Sequence, residues 1–201
     1  MKYVYNGLDE ALRCERPVDL PISLDLNRTD NVVVWLSAIR VYSFGMMFAI
    51  DARYEDPALS LSLGAYDGRP TFTHFSAPLL LGLGFADGSS VTTAQRTRGS
   101  LLELRTAESR SGSVRGEYLL APIPPAGPID VATAWPQLGM DEKVVTLDGE
   151  GIASASASAS ASESVTQLWE PKRQPDPDLT SEQVTHQLQY QRGGWFGIRL
   201  D

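Results

Sequence analysis

The sequence predicts a mainly β chain: an immunoglobulin-like antiparallel β-sandwich of about eight strands, followed by an Ala/Ser-rich helix and an extended tail. Three observations carry this. Residues 46–54 alternate strictly, with Met46, Phe48, Ile50, Ala52 and Tyr54 on one side and Met47, Ala49, Asp51 and Arg53 on the other. Residues 32–41 are apolar on both faces, as expected of a strand inside a packed sheet. Apolar runs recur at hairpin spacing, separated by breakers such as Asp87-Gly88, in a chain with 17 Gly and 13 Pro.

Taken in order, residues 1–17 form a lead-in. Asn6 is placed to cap a short helix over 7–14, with Leu8 and Leu12 on one side; so short a helix must dock on the body. Residues 18–27 read as one strand. Leu20, Ile22, Leu24 and Leu26 alternate with Asp19, Ser23, Asp25 and Asn27, and Pro21 marks an edge. After a turn over 27–31 comes the central pair, joined near Ser43-Phe44-Gly45. Residues 55–70 read as a loop, with Phe72 and Phe75 expected to fold back onto the body.

Leu79, Leu81, Leu83 and Phe85 form the next apolar row, and Gly82 and Gly84 face the other way, where they admit another backbone or mark a bulge. Ala86-Asp87-Gly88 turns the chain into a return strand over 89–94. Residues 95–112 are polar and arginine-rich and read as a mobile surface loop, with brief pairing at Leu101, Leu102 and Leu104. Strands follow at 113–121, 129–135 and 142–147, the first two separated by the stiff prolines 122–128.

Residues 152–162 are an almost pure Ala-Ser run. Strand, flexible linker and helix all compete here; alanine's helix preference favours a helix over about 151–170, stopped by Pro171. The organisation is therefore a lead-in over 1–17, a sandwich over 18–148, a docked helix over 149–170 and a Pro-rich spacer with tail over 171–201. Thr180 and Gln183 weakly match a capping box in that tail. Trp195, Phe196, Ile198 and Leu200 end the chain on an apolar note, and either an intramolecular dock or a partner would explain them.

The net charge of −8 and pI of about 4.8 argue against nucleic acid and anionic membrane as partners. Cys14 is the only cysteine, the N-terminus lacks a signal-peptide core, and no apolar run reaches membrane-spanning length. The expected location is cytoplasmic.

Chemistry-bearing constellations are few. His74 and His186 lie far apart on unlike segments, giving no metal-ligand spacing. His74 with Asp87 and Ser76, Ser89 or Ser90 lacks a nucleophile-elbow context. Leu81-Gly82-Leu83-Gly84 sits inside a strand, not at a helix entrance, so it is no phosphate loop, and no cofactor motif is present. Asp51 and Arg53, with Arg40 across from them, read as a surface ion-pair cluster of little energetic weight. Tyr42, Phe44 and Tyr66, with the Trp135 region, could form a sugar platform, although core packing explains most of them.

Arg28-Thr29-Asp30, Tyr42 with Gly45, Phe85-Ala86-Asp87-Gly88, Pro124-Pro125 with Gly127-Pro128, Trp135-Pro136 and Leu168-Trp169 together resemble phrases of a family of actinobacterial β-sandwich proteins with no assigned activity. The resemblance covers residues 18–170; it implies a fold and no chemistry. The Ala-Ser run departs from the more varied helix the family would have there. The expected function is a non-enzymatic β-sandwich acting through protein contacts or self-association, with Trp195, Phe196, Ile198 and Leu200 as candidate partner-binding residues. A carbohydrate or small-ligand module and a hydrolase are the alternatives.

Overall fold

The computed structural model describes residues 3–56, 63, 79–95, 99–160, 166–167 and 194. Helix α1 (Tyr3–Cys14) leads into β1 (Glu15–Arg16), β2 (Val18–Leu20), β3 (Leu24–Arg28), β4 (Val32–Val41) and β5 (Met46–Tyr54). Strands β6 (Leu80–Phe85), β7 (Ser90–Thr92), β8 (Leu101–Arg110), β9 (Ser113–Ala121), β10 (Pro128–Trp135) and β11 (Met140–Asp148) follow. Helix α2 (Glu150–Ser160) and β12 (Thr166–Gln167) complete the described elements.

Two antiparallel sheets face each other. The larger runs β2-β4-β5-β9-β8, with β3 sharing with β2 the free edge of β4; the smaller runs β11-β10-β6-β7. The chain is thus a mainly β sandwich, as its alternation predicts. The strand order does not by itself establish the immunoglobulin-like subtype.

The even residues of β5, from Met46 to Tyr54, all enter the main core, where they meet Leu36, Tyr118, Leu81, Leu83, Val131 and Trp135. Phe48 and Tyr118 are cross-strand partners whose rings stack 5.7 Å apart. The Tyr118 hydroxyl donates to the Leu63 carbonyl at 3.3 Å, and full burial pushes its phenol well above the ordinary tyrosine range. Between β4 and β5 the turn closes with a bond from the Tyr42 amide to the Gly45 carbonyl at 2.8 Å. Gly45 has to be glycine there, because a Cβ would collide with the Leu120 carbonyl of β9.

Three irregularities shape the sandwich. In β4, an extra residue between Ser37 and Arg40 makes a bulge, and Ala38 takes a φ of 52° to accommodate it. In β3, the register shifts between Asp25 and Asn27, so Leu26 and Asn27, neighbours in sequence, are both buried. In β10 and β11, the register shifts between Thr133 and Trp135. The second and third irregularities answer each other. Asn27 Nδ2 donates to the Asp141 carbonyl at 2.8 Å and to the Thr133 carbonyl at 3.3 Å, while its Oδ1 accepts from the Arg28 amide at 2.8 Å. A side-chain amide of the larger sheet therefore satisfies backbone acceptors where the smaller ladder is interrupted.

Several expectations need correction. The supposed strand over 18–27 is two strands broken at Pro21-Ile22-Ser23, and Asn27 lies inside, because a bulge and not simple alternation sets its direction. Residues 101–110 are a ten-residue strand and not a mobile loop, since β8 pairs with β9 along its whole length. Its polar sequence reflects an edge position, where charged side chains suit solvent. Helix α1 starts at Tyr3, so Asn6 lies within it and does not cap it. The strands outnumber the expected eight.

The Ala-Ser run is helical over Glu150–Ser160. Asp148 Oδ1 accepts the Glu150 amide at 3.0 Å, placing a carboxylate at the helix N-terminus, and Ile152 and Ala155 join the main core. The helix does not run unbroken to residue 170. Thr166–Gln167 form a strand paired with β1. The expectations placed on 57–62, 64–78 and 171–193 lie outside the described residues.

Asn27→Ala is expected to lower stability by about 1–3 kcal/mol, because it strands buried carbonyls at the β10–β11 irregularity; an unchanged urea midpoint would refute the bridging role. Ala38→Gly is expected to raise stability by about 0.5–1 kcal/mol, since glycine removes the left-handed penalty at the bulge but adds freedom to the unfolded chain; a lowered thermal midpoint would show that the methyl group packs usefully.

Candidate functional site

The pleat that sends the even residues of β5 into the core sends the odd ones to the outer face of the larger sheet. That face is divided. At one end, Met47 and Leu119 meet Leu8, Leu12, Tyr42, Phe44 and Leu101, so α1 docks there over a small second core. Glu15 fastens the junction, accepting from the Ser43 amide at 2.9 Å and the Ser43 hydroxyl at 2.6 Å. Arg105 pairs with Asp9 of the helix and, at 3.0 Å, with Glu103. The lead-in docks on the body, as its shortness requires.

Beyond the helix the face is polar. One cross-strand row reads Asp25, Trp35, Asp51, Arg115, Glu108 across β3, β4, β5, β9 and β8. Asp51 is the buried centre, 5% exposed. Its Oδ2 accepts from the Ser37 hydroxyl at 2.7 Å, and both its oxygens lie within 2.9 Å of Arg115 Nη1. Such a carboxylate survives burial because its lone pairs are used and its charge is matched. Next to it, Arg53 lies over the half-buried Trp35 ring, with Cζ 5.6 Å from the ring centre. One row toward the helix, Arg40 and Glu117 pair at 3.0 Å, both partly exposed. The result is an aromatic ring and several guanidinium groups on a stiff sheet.

Sequence reasoning reached part of this. It placed Asp51 and Arg53 together on one face, but expected Arg40 as their companion and a fully solvated cluster. Arg40 instead serves Glu117, and Arg115 serves Asp51. The reason is register: Arg115 stands directly opposite Asp51 on β9, and only strand pairing reveals that. In sequence Trp35 reads as one more apolar residue of the two-sided run over 32–41. Its odd position, shared with Val33 and Ser37, was the available signal.

Two of the aromatic residues of the alternative sugar platform are buried. Trp135 is fully buried in the sandwich core, and Tyr42 is 4% exposed beneath α1, its phenol pushed up by burial. Tyr66 lies outside the described residues, as do His74, His186, Ser76, Trp195, Phe196, Ile198 and Leu200. Asp87 does what a hairpin residue does. Its Oδ1 accepts from the Ser89 amide at 2.9 Å and the Ser89 hydroxyl at 2.6 Å, which holds its carboxyl below the usual range. Among the described residues there is no His/Cys/Asp/Glu group that could hold a metal ion, and no helix long and apolar enough to cross a membrane. Cys14 is buried.

Comparison with protein-family models, with curated proteins and with solved structures finds no match to this chain. What the structure defines is a class, a mainly β protein of two facing antiparallel sheets. The resemblance to the actinobacterial sandwich proteins rests on sequence phrases alone.

Arg115→Met is expected to cost about 1–3 kcal/mol of stability, because it leaves the Asp51 carboxylate buried without its counter-charge. Adding Asp51→Asn to that variant should recover part of the loss in urea denaturation. A neutral Arg115→Met would mean that Ser37 alone suffices.

Proposed function

We propose that the chain is a non-enzymatic, cytosolic β-sandwich working through protein contacts, and that the polar half of the larger sheet's outer face is its contact surface. One observation carries the reading: Trp35 with Arg53 stacked on it, on a sheet braced by the Ser37–Asp51–Arg115 network. Trp and Arg are the residues most enriched at binding hot spots, where a rigid ring and a flat guanidinium bury large area at low entropic cost. The site brings a paired carboxylate, guanidinium groups and an indole together; its one hydroxyl beside a carboxylate, Ser37 on Asp51, meets an acceptor already held by Arg115 and serves as part of the brace. That arrangement supports recognition more than reaction. The acidic balance of the chain favours a protein partner over a polyanion.

The carbohydrate reading is weaker on the same observation, since Arg53 already occupies the indole face that a sugar would stack on. The tail residues Trp195, Phe196, Ile198 and Leu200, the first candidates for partner contact from sequence, lie outside the described residues. Cross-linking and pull-down with the native chain and with a Trp35→Ala/Arg53→Glu variant test the proposal. Specific cross-links should disappear with the variant while its thermal midpoint stays close to that of the native chain. Associations that persist unchanged would move the contact surface elsewhere, and saturable glycan binding abolished by Trp35→Ala would favour the sugar reading.

A further inference from the structure

Beside the row that holds Trp35 and Asp51, at the end of the larger sheet away from α1, runs a second cross-strand row. It reads Arg28, Val33, Arg53, Ser113, Arg110 across β3, β4, β5, β9 and β8. Residues directly opposite in antiparallel pairs share a face, so three arginines stand on one side of the sheet at alternate strands. Strands lie about 4.8 Å apart, which sets neighbouring arginines about 10 Å from each other and the row about 19 Å across. All three arginines are exposed, while Val33 and Ser113 between them are half-buried.

The carboxylates nearby do not neutralise this row. Asp51 is held by Arg115 and Ser37. Glu108 reaches Arg110 at 3.5 Å with both side chains largely exposed, a contact of little energetic weight. Asp25 stands at the β3 end of the Trp35 row, and Asp30, Glu55 and Asp56 lie beyond the strand ends. Among the described residues no carboxylate forms an ion pair with Arg28 or Arg53. Arg53 is steadied over the Trp35 ring, a contact that attracts its charge and leaves its N–H fork for an acceptor.

Guanidinium groups bind carboxylates through paired N–H bonds, and a row of them on a rigid sheet fits a run of carboxylates. The charge of the whole chain, −8, decides how long that run is. A nucleic acid or a membrane surface extends past the row and meets the acidic remainder. A short acidic segment touches only the row, and at physiological salt charges more than about 8 Å away are largely screened.

We propose that the row of Arg28, Arg53 and Arg110 binds a carboxylate-rich segment of a protein partner laid across the strands, with Val33 as an apolar contact between the first two. This names the partner's chemistry for the contact surface proposed above and rests on that reading.

A hexaglutamate peptide, about 20 Å long when extended, is the probe, read by fluorescence anisotropy with the full chain. Binding should weaken at high salt and fall about ten-fold or more in an Arg28→Gln/Arg110→Gln variant, which leaves Trp35 and Arg53 in place. An Arg13→Gln/Arg16→Gln variant, altering exposed arginines of the lead-in, should bind as the native chain does. Absence of binding, or equal loss in both variants, overturns the inference, and so does a single-stranded oligonucleotide that binds the same row more tightly. Where a variant fails to fold, the native chain decides: the side-chain Nε resonances of Arg28, Arg53 and Arg110 should shift on adding hexaglutamate, and unmoved resonances would refute the site. Partner cross-links lost with Trp35→Ala/Arg53→Glu but kept with Arg28→Gln/Arg110→Gln would overturn the acidic segment alone and leave the contact surface standing. Cross-links that survive both variants would overturn the surface and this inference with it.

Discussion

The two-residue period of one central strand governs this molecule. Strand β5 is paired on both sides, by β4 and β9, so neither of its faces can be chosen freely. Its even positions carry Met46, Phe48, Ile50, Ala52 and Tyr54 into the space between the sheets. Its odd positions carry Met47 under α1 and Asp51 and Arg53 into the polar field. A slip of one residue would exchange these sets and put a carboxylate in the core. Core, docked helix and candidate contact surface all descend from a single register.

Where the period breaks, the molecule uses polar groups to mend it. The bulge in β3 turns Asn27 inward, and the irregularity between β10 and β11 leaves carbonyls for it to satisfy. Neither defect is explicable alone. A buried amide with no acceptors would be costly, and so would interrupted ladder carbonyls with no donor. Together they tie the open side of the larger sheet to the smaller one. The edge strand β8 shows the same economy in reverse, presenting charged residues along its exposed length.

The outer faces of the two sheets are treated differently, and this bears on function. Among the described elements α1 covers one end of the larger sheet, and beyond it Trp35 is half-buried and Arg53 exposed. The smaller sheet presents small residues that are buried all the same. A flat face of glycine and alanine suits close approach by other backbone, whereas a ring covered by one guanidinium on a braced sheet suits a partner with acceptors and apolar surface.

The alternation of residues 46–54, the two-sided apolar run before it and the Asp87-Gly88 turn were sufficient to determine a mainly β sandwich, because burial on a pleated strand writes itself directly into local sequence. Local pattern also placed Asp51 and Arg53 on one face and α1 on the body. Tertiary structure alone decided that Arg115 and not Arg40 meets Asp51, that Asn27 points inward, and that polar residues 101–110 form a strand. Each of these depends on which residue of a distant strand stands opposite, or on an extra residue that resets the pleat. Pairing energy between strands far apart in sequence is a property of the assembled sheet, so no window along the chain contains it.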